Sequence, residues 1–163
     1  MSQFIATFGY VGYLRPAPGT WASLAAIPCA MVLHGLGGFP ALAVATGLAF
    51  VIGVWATEQV LTEDNKDPSE VVIDEVVGMW IALWPVSAGL WLGNEPPWLF
   101  PWPGWVSAFL LFRLFDIWKP GPIGKADKRG DAFGVMFDDI LAGLFASFFV
   151  VLGVGIAHGV FGA

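Results

Sequence analysis

A single cysteine, Cys29, excludes any intrachain disulfide. The two histidines, His34 and His158, are far apart, so nothing resembles a zinc-ligand cluster. Charge is scarce: Asp, Glu, Lys and Arg make up 12% of the 163 residues, against roughly 25% in an ordinary soluble domain. The net charge of −6 and the lack of a basic stripe exclude a nucleic-acid partner. No Lys or Arg and no clear cleavage site occur in residues 1–14, so no secretory signal is expected there. Fixed-period repeats and low-complexity tracts are absent as well.

What is abundant is apolar surface. Hydrophobic residues make up 57% of the chain, nine of them Trp, and the mean hydropathy is +0.74. A soluble core of this size cannot hide that much apolar area, so the bilayer must act as part of the solvent. Five apolar stretches run over Trp21–Leu36, Ala41–Val60, Val76–Leu92, Trp98–Phe115 and Ile140–Phe161. A spanning helix needs about 20 residues. The expected fold is therefore an all-α polytopic membrane bundle, one domain over 1–163 with about five membrane helices. The first stretch is short and carries Pro28; it is expected to pair with the second as a hairpin joined at Gly35–Pro40. Met1–Pro18 is too broken by Gly and Pro to span, and is expected to lie along the interface. The stretches lack the alternation of a β-barrel.

Charge placement orients the bundle. With the N-terminus inside and five crossings, the inner segments are 1–20, 61–75 and 116–139. They hold every Lys together with Arg15 and Arg129, and Arg113 lies just inside the fourth helix. The outer side keeps Glu95 and no Lys or Arg, as the positive-inside rule requires. Trp91, Trp98, Trp102 and Trp105 fall where an outer aromatic belt belongs.

Five carboxylates then meet the inner face: Asp74 and Glu75 before the third helix, Asp116 at the end of the fourth, and Asp138 and Asp139 before the fifth. Acidic groups embedded in Val, Ile, Phe and Trp are expensive near hydrocarbon, and face the protein interior or a polar cavity. Brought together they would repel one another unless a cation sat among them. Hard divalent ions take oxygen ligands, and Mg2+ binds through one or two carboxylates plus waters and phosphate oxygens. Helix-dipole complementation explains any one pair, but not all three clusters. At 100° per residue, Arg113, Asp116 and Lys119 span roughly 120° of one helix face, suited to phosphate or to an internal ion pair. Thr20 is an N-cap candidate with Ser23 three residues on, forming either a plain cap or an anion-holding turn. Glu58 reads as part of a solvated turn, with reach to the metal site as the alternative. Glu63, Asp64 and Asp67 read as a solvated turn, and Lys66, Lys125, Lys128 and Arg129 as surface groups that attract anionic lipids.

Four ordered blocks carry a family resemblance: F-G-Y-V-G-Y-L-R-P-A-P-G-T-W-A-S-L-A-A-I-P (8–28), V-I-D-E-V-V-G-M-W (72–80), F-R-L-F-D-I-W-K-P-G-P-I (112–123) and F-G-V-M-F-D-D-I-L-A-G (133–143). In these the chain resembles phosphatidylglycerophosphatase A over nearly its whole length. Ala22 and the Asp131-Ala132 pair depart from the family pattern, both beside its polar positions. The motifs of haloacid-dehalogenase-like phosphatases, phosphatidic-acid-phosphatase-type enzymes and CDP-alcohol phosphotransferases are missing. The resemblance implies a magnesium-requiring enzyme that converts phosphatidylglycerophosphate to phosphatidylglycerol. Joined to the charge-derived topology, N-terminus in and C-terminus out, the expected place is the bacterial inner membrane with the active site on the cytoplasmic face. Carried over by position, the site residues are Thr20, Ser23, Asp74, Glu75, Arg113, Asp116, Lys119, Asp138 and Asp139. The expected roles are Mg2+ on Glu75, Asp138 and Asp139 with Asp74 or Asp116 in support, and phosphate on Arg113 and Lys119 beside the Thr20–Ser23 turn. Asp116, Asp74 and Asp139 are the expected catalytic carboxylates, with Asp116 taking the proton of an attacking water, or alternatively being phosphorylated itself. A phosphatase for another phosphomonoester and an ion-coupled transporter are the competing readings; a transporter calls for polar groups near the midplane.

Overall fold

The computed structural model describes residues 1–66 and 68–161, with side chains as far as Ile156. Asp67 and the His158 side chain lie outside the described residues. Helices α1 (Ser2–Ala6), α2 (Pro18–Glu58), α3 (Ile73–Leu92), α4 (Trp102–Trp118), α5 (Pro122–Asp127) and α6 (Ala132–Phe161), with a 3-10 turn at Val11–Tyr13, make up the fold. There is no strand among the described residues. By length and composition α2, α3 and α6 are apolar enough to cross a membrane. Outward faces agree: Val44, Leu48 and Val51 on α2, Leu110 and Ile117 on α4 and Phe148 on α6 are all exposed, an arrangement suited to lipid rather than water.

Although continuous in sequence, α2 is two rods. Gly37 (φ −155°, ψ 17°) and Gly38 (φ 64°, ψ −160°) leave the helical region. A Cβ at Gly38 would collide with the Trp91 indole, and the left-handed φ independently favours glycine. The chain reverses there. Glu75 and Ile73, at the start of α3, lie against Gly19 and Gly53, one from each half of α2. Further along α3, the Trp80 indole N–H donates to the Ala26 carbonyl at 2.9 Å and the Trp84 N–H to Thr46 Oγ1 at 3.3 Å. His34 Nδ1 and Ser87 Oγ lie 2.7 Å apart. The reversal falls within the expected Gly35–Pro40 joint.

Helix α3 is the centre of the bundle: Val76, Val77, Met79, Ile81, Ala82 and Leu83 are all buried. It crosses α6 at glycines. A Cβ on Gly143 would strike the Gly78 carbonyl, and one on Gly78 would stand 2.6 Å from the Asp139 carbonyl and 2.5 Å from the Phe112 ring. Small residues let two helices approach closely where lipid supplies no hydrophobic drive between them.

Several boundaries differ from the sequence expectation. Helix α6 starts at Ala132 rather than Ile140, so Asp138 and Asp139 lie well inside it. The cause is a cap: Asp131 Oδ1 accepts the Gly134 N–H at 2.7 Å, starting the helix before the apolar run. The departure from the family pattern at 131 thus has a local role. Helix α3 starts at Ile73, placing Asp74 and Glu75 in its first turn. Helix α4 runs Trp102–Trp118 instead of Trp98–Phe115, because Pro101 and Pro103 mark its start. Helix α2 begins at Pro18, so Thr20 is inside the first turn rather than its N-cap; Ala17 holds that position, and proline suits the first helical residue. Trp91, Trp98 and Trp102 are exposed, whereas Trp105 is 2% exposed and packs on Phe100 at 5.3 Å, leaving it out of the expected belt.

Candidate active site

The Gly78–Gly143 crossing sets the site. One helical turn before it stand Asp74 and Glu75 on α3 and Asp139 on α6, so the approach of the backbones draws the three carboxylates together. One oxygen from each lies within 4.8 Å of the others. Gly19 admits Glu75, since a Cβ there would collide with its carboxylate. Asp74 and Asp139 are buried and Glu75 is half-buried.

These side chains line a cavity of about 260 Å³ with Gly19, Lys66, Ser69, Arg113, Asp116, Lys119, Asp127, Gly130 and Asp138. All five carboxylates expected from the sequence thus meet, with both expected cations. Arg113 Nη1 pairs with Asp116 Oδ2 at 2.5 Å. Lys119 is not on the α4 face with them. It caps the helix in the left-handed region (φ 48°), because Pro120 disfavours helical backbone in the residue before it. Its ammonium reaches the cavity nevertheless, pairing with Asp127 Oδ1 and Asp138 Oδ2. Burial opposes the Lys119 charge, but the hydrogen bonds to Asp127 and Asp138 outweigh it and hold the group above its ordinary range.

Other expectations fall differently. Asp138 faces Lys119 with Oδ2, while its Oδ1 accepts the Asp139 N–H at 3.0 Å. Ser23 is buried, its hydroxyl donating to the Gly19 carbonyl at 2.8 Å; neither it nor Thr20 lines the cavity. Glu58 is exposed, as a solvated position requires, and does not line the cavity, so the alternative of reach toward the metal does not hold. It ends the returning half of α2 on a solvent-facing side. Asp127, Ser69 and the close-approach glycines 19, 78 and 143 were not singled out as site residues from sequence. Only the D-D-I-L-A-G and D-E-V-V-G spacing, acid then glycine one turn on, hinted at the last two.

Asp74 Oδ1, Glu75 Oε2 and Asp139 Oδ2 are buried with no hydrogen-bond partner among the described residues. Unpaired buried carboxylate oxygens are costly, and three carboxylates that each carry one and lie this close suit a hard cation bound through oxygen. A larger hollow of about 690 Å³ at the far end of α3, near His34, Trp91 and Glu95, has one carboxylate and no Lys or Arg in its wall. It offers no comparable chemistry.

Residues 4–154 match the family described as Phosphatidylglycerophosphatase A. Phosphatidylglycerophosphatase A of Haemophilus influenzae is 35% identical over 137 residues, covering 83% of this chain and 77% of that protein. The Escherichia coli protein of the same name is 34% identical over 143 residues, 85% and 76% of the two chains. A putative phosphatidylinositol-3-phosphatase of Bacteroides thetaiotaomicron is 36% identical over 149 residues, 88% and 86% of the two. No solved structure matches the chain. With residues 4–154 matched, the chain belongs to the phosphatidylglycerophosphatase A family of phosphatases.

Proposed function

We propose that this protein hydrolyses phosphatidylglycerophosphate to phosphatidylglycerol and phosphate, using Mg2+, at the cytoplasmic face of a bacterial inner membrane. One observation carries the reading: three carboxylates, each with a buried unpartnered oxygen, share a small cavity with Arg113 and Lys119. Asp74, Glu75 and Asp139 hold the ion. When bound, it polarises phosphoryl oxygens and lowers the pKa of water. Arg113 and Lys119 bind the terminal phosphate, the former through its planar fork. Asp116 takes a proton from the attacking water and returns it to the glycerol oxygen as the phosphorus–oxygen bond breaks. Asp138 supports the site by engaging Lys119, and Thr20 and Ser23 shape the helix start behind Glu75.

The membrane arrangement belongs to the same proposal. The two halves of α2 with α3, α4 and α6 make five crossings, N-terminus inside and C-terminus outside. The α1 segment lies at the inner interface, where the exposed Lys125 and Lys128 attract anionic lipids. The Bacteroides relative makes phosphatidylinositol 3-phosphate the substrate to compare.

The test is phosphate release from each lipid by purified protein in detergent, with Mg2+ or EDTA, beside Asp139→Asn. Release from phosphatidylglycerophosphate that needs Mg2+ and vanishes in the variant is expected. Release that persists in EDTA would remove the metal role, and a preference for the inositol lipid would reassign the substrate.

A further inference from the structure

We propose that Asp127 is a positioning residue that, with Asp138, aims the Lys119 ammonium into the cavity; this rests on the phosphatase reading above. Lysine is a point charge on a flexible four-carbon stem, so nothing in the side chain itself fixes its direction. Here the backbone adds no help, because Lys119 has already left the α4 axis in the left-handed region. Its direction comes from two carboxylates on different elements, Asp138 Oδ2 on α6 and Asp127 Oδ1 on α5.

An ammonium has three donors and no acceptor. With two held, the third is the one left for an incoming phosphate, and its direction is set by the other two. The short helix α5 is built against this same residue. A Cβ on Gly124 would stand 2.8 Å from the Lys119 carbonyl, and the preceding Ile123 is buried. Asp127, one turn on, thus reaches the side chain of the residue whose backbone α5 covers. Unlike Asp138, Asp127 is not adjacent in sequence to a proposed metal ligand. Its loss should therefore weaken phosphate binding without changing the Mg2+ requirement. A purely structural role would not produce that split.

The experiment compares wild type, Asp127→Asn and Asp127→Glu as full chains in detergent, with Asp127→Ser replacing the Asn variant should that one misfold. Phosphate release from phosphatidylglycerophosphate gives kcat, KM and the Mg2+ concentration for half activity. Separately, inorganic phosphate is titrated as a shield of Lys119 against acetylation, read by mass spectrometry. In Asp127→Asn, KM and the half-shielding phosphate concentration should each rise about tenfold, with kcat and the Mg2+ midpoint within about twofold. Asp127→Glu should restore most of the loss. Unchanged KM and shielding, tighter phosphate binding, or a fall in kcat alone would overturn the proposal. If wild type releases no phosphate from any lipid, the phosphatase reading fails, while the shielding titration still decides whether Asp127 positions Lys119.

Discussion

Replacing Gly143 by alanine should disable the site without touching a polar atom. The new methyl would run into the Gly78 carbonyl, and would stand 3.1 Å from the Gly78 carbonyl carbon and 3.1 Å from Ile81 Cβ. The obstacle is backbone, which cannot swing aside, so α3 and α6 must part by on the order of 1 Å in an interior that is close-packed. Overpacking of this kind costs about 1–3 kcal/mol of stability. The larger effect is chemical, because Asp139 stands one turn from Gly143 and moves away from Asp74 and Glu75 with the helix. A misplacement of about 1 Å can lower turnover about a hundredfold. Gly153→Ala on the same helix is the control, since nothing lies within 4 Å of its Cβ position. The assay is phosphate release against Mg2+ concentration, with thermal unfolding in detergent alongside. A Gly143→Ala protein that keeps wild-type turnover and Mg2+ midpoint would refute the idea that this crossing positions the carboxylates.

Arg113→Lys keeps the charge but loses the planar fork; KM for the phospholipid substrate should rise about tenfold, the scale of one good charge-assisted bond, and an unchanged KM would remove Arg113 from phosphate binding. Asp131→Ala removes the α6 cap and should lower the unfolding temperature by a few degrees at neutral pH. Hydrogen bonds from Arg129 and the Gly134 N–H hold Asp131 below its ordinary range. Its contribution is therefore complete above the ordinary Asp value and fades as pH falls through the lower folded one. The gap between variant and wild type should close in strong acid; a gap independent of pH would point to helix propensity alone.

The sequence carried much of this site, since apolar runs and scarce charges are local facts. Every expected carboxylate, with Arg113 and Lys119, reached one cavity. Hydropathy, however, marks only the apolar part of a helix: α6 continues toward its N-terminus from Ile140 to Ala132 because Asp131 caps it, and no apolar pattern signals that. Trp105 resembles its neighbours in the string yet is buried against Phe100, a distinction set by the face of α4 it occupies. Least legible were Gly78 with Gly143, Gly19 with Glu75, and Asp127 with Lys119. Each is a pairing, and apart from the last its members are more than fifty residues apart.

The reversal at Gly37–Gly38 also bears on how the chain is made. A straight helix of 41 residues would reach about 60 Å at 1.5 Å per residue, twice the hydrocarbon thickness of roughly 30 Å. On the proposed arrangement the two halves therefore cross as a folded pair, and α3 follows them in the chain. Without α3, His34 lacks Ser87 and Thr46 lacks the Trp84 indole. Within the hairpin the Thr46 hydroxyl donates to the Leu42 carbonyl, but the bonding of His34 and Thr46 is complete only when α3 packs, and α3 brings Asp74 and Glu75 with it. Completion of the hairpin's own bonding and delivery of the first two site carboxylates are then one packing event, the docking of α3.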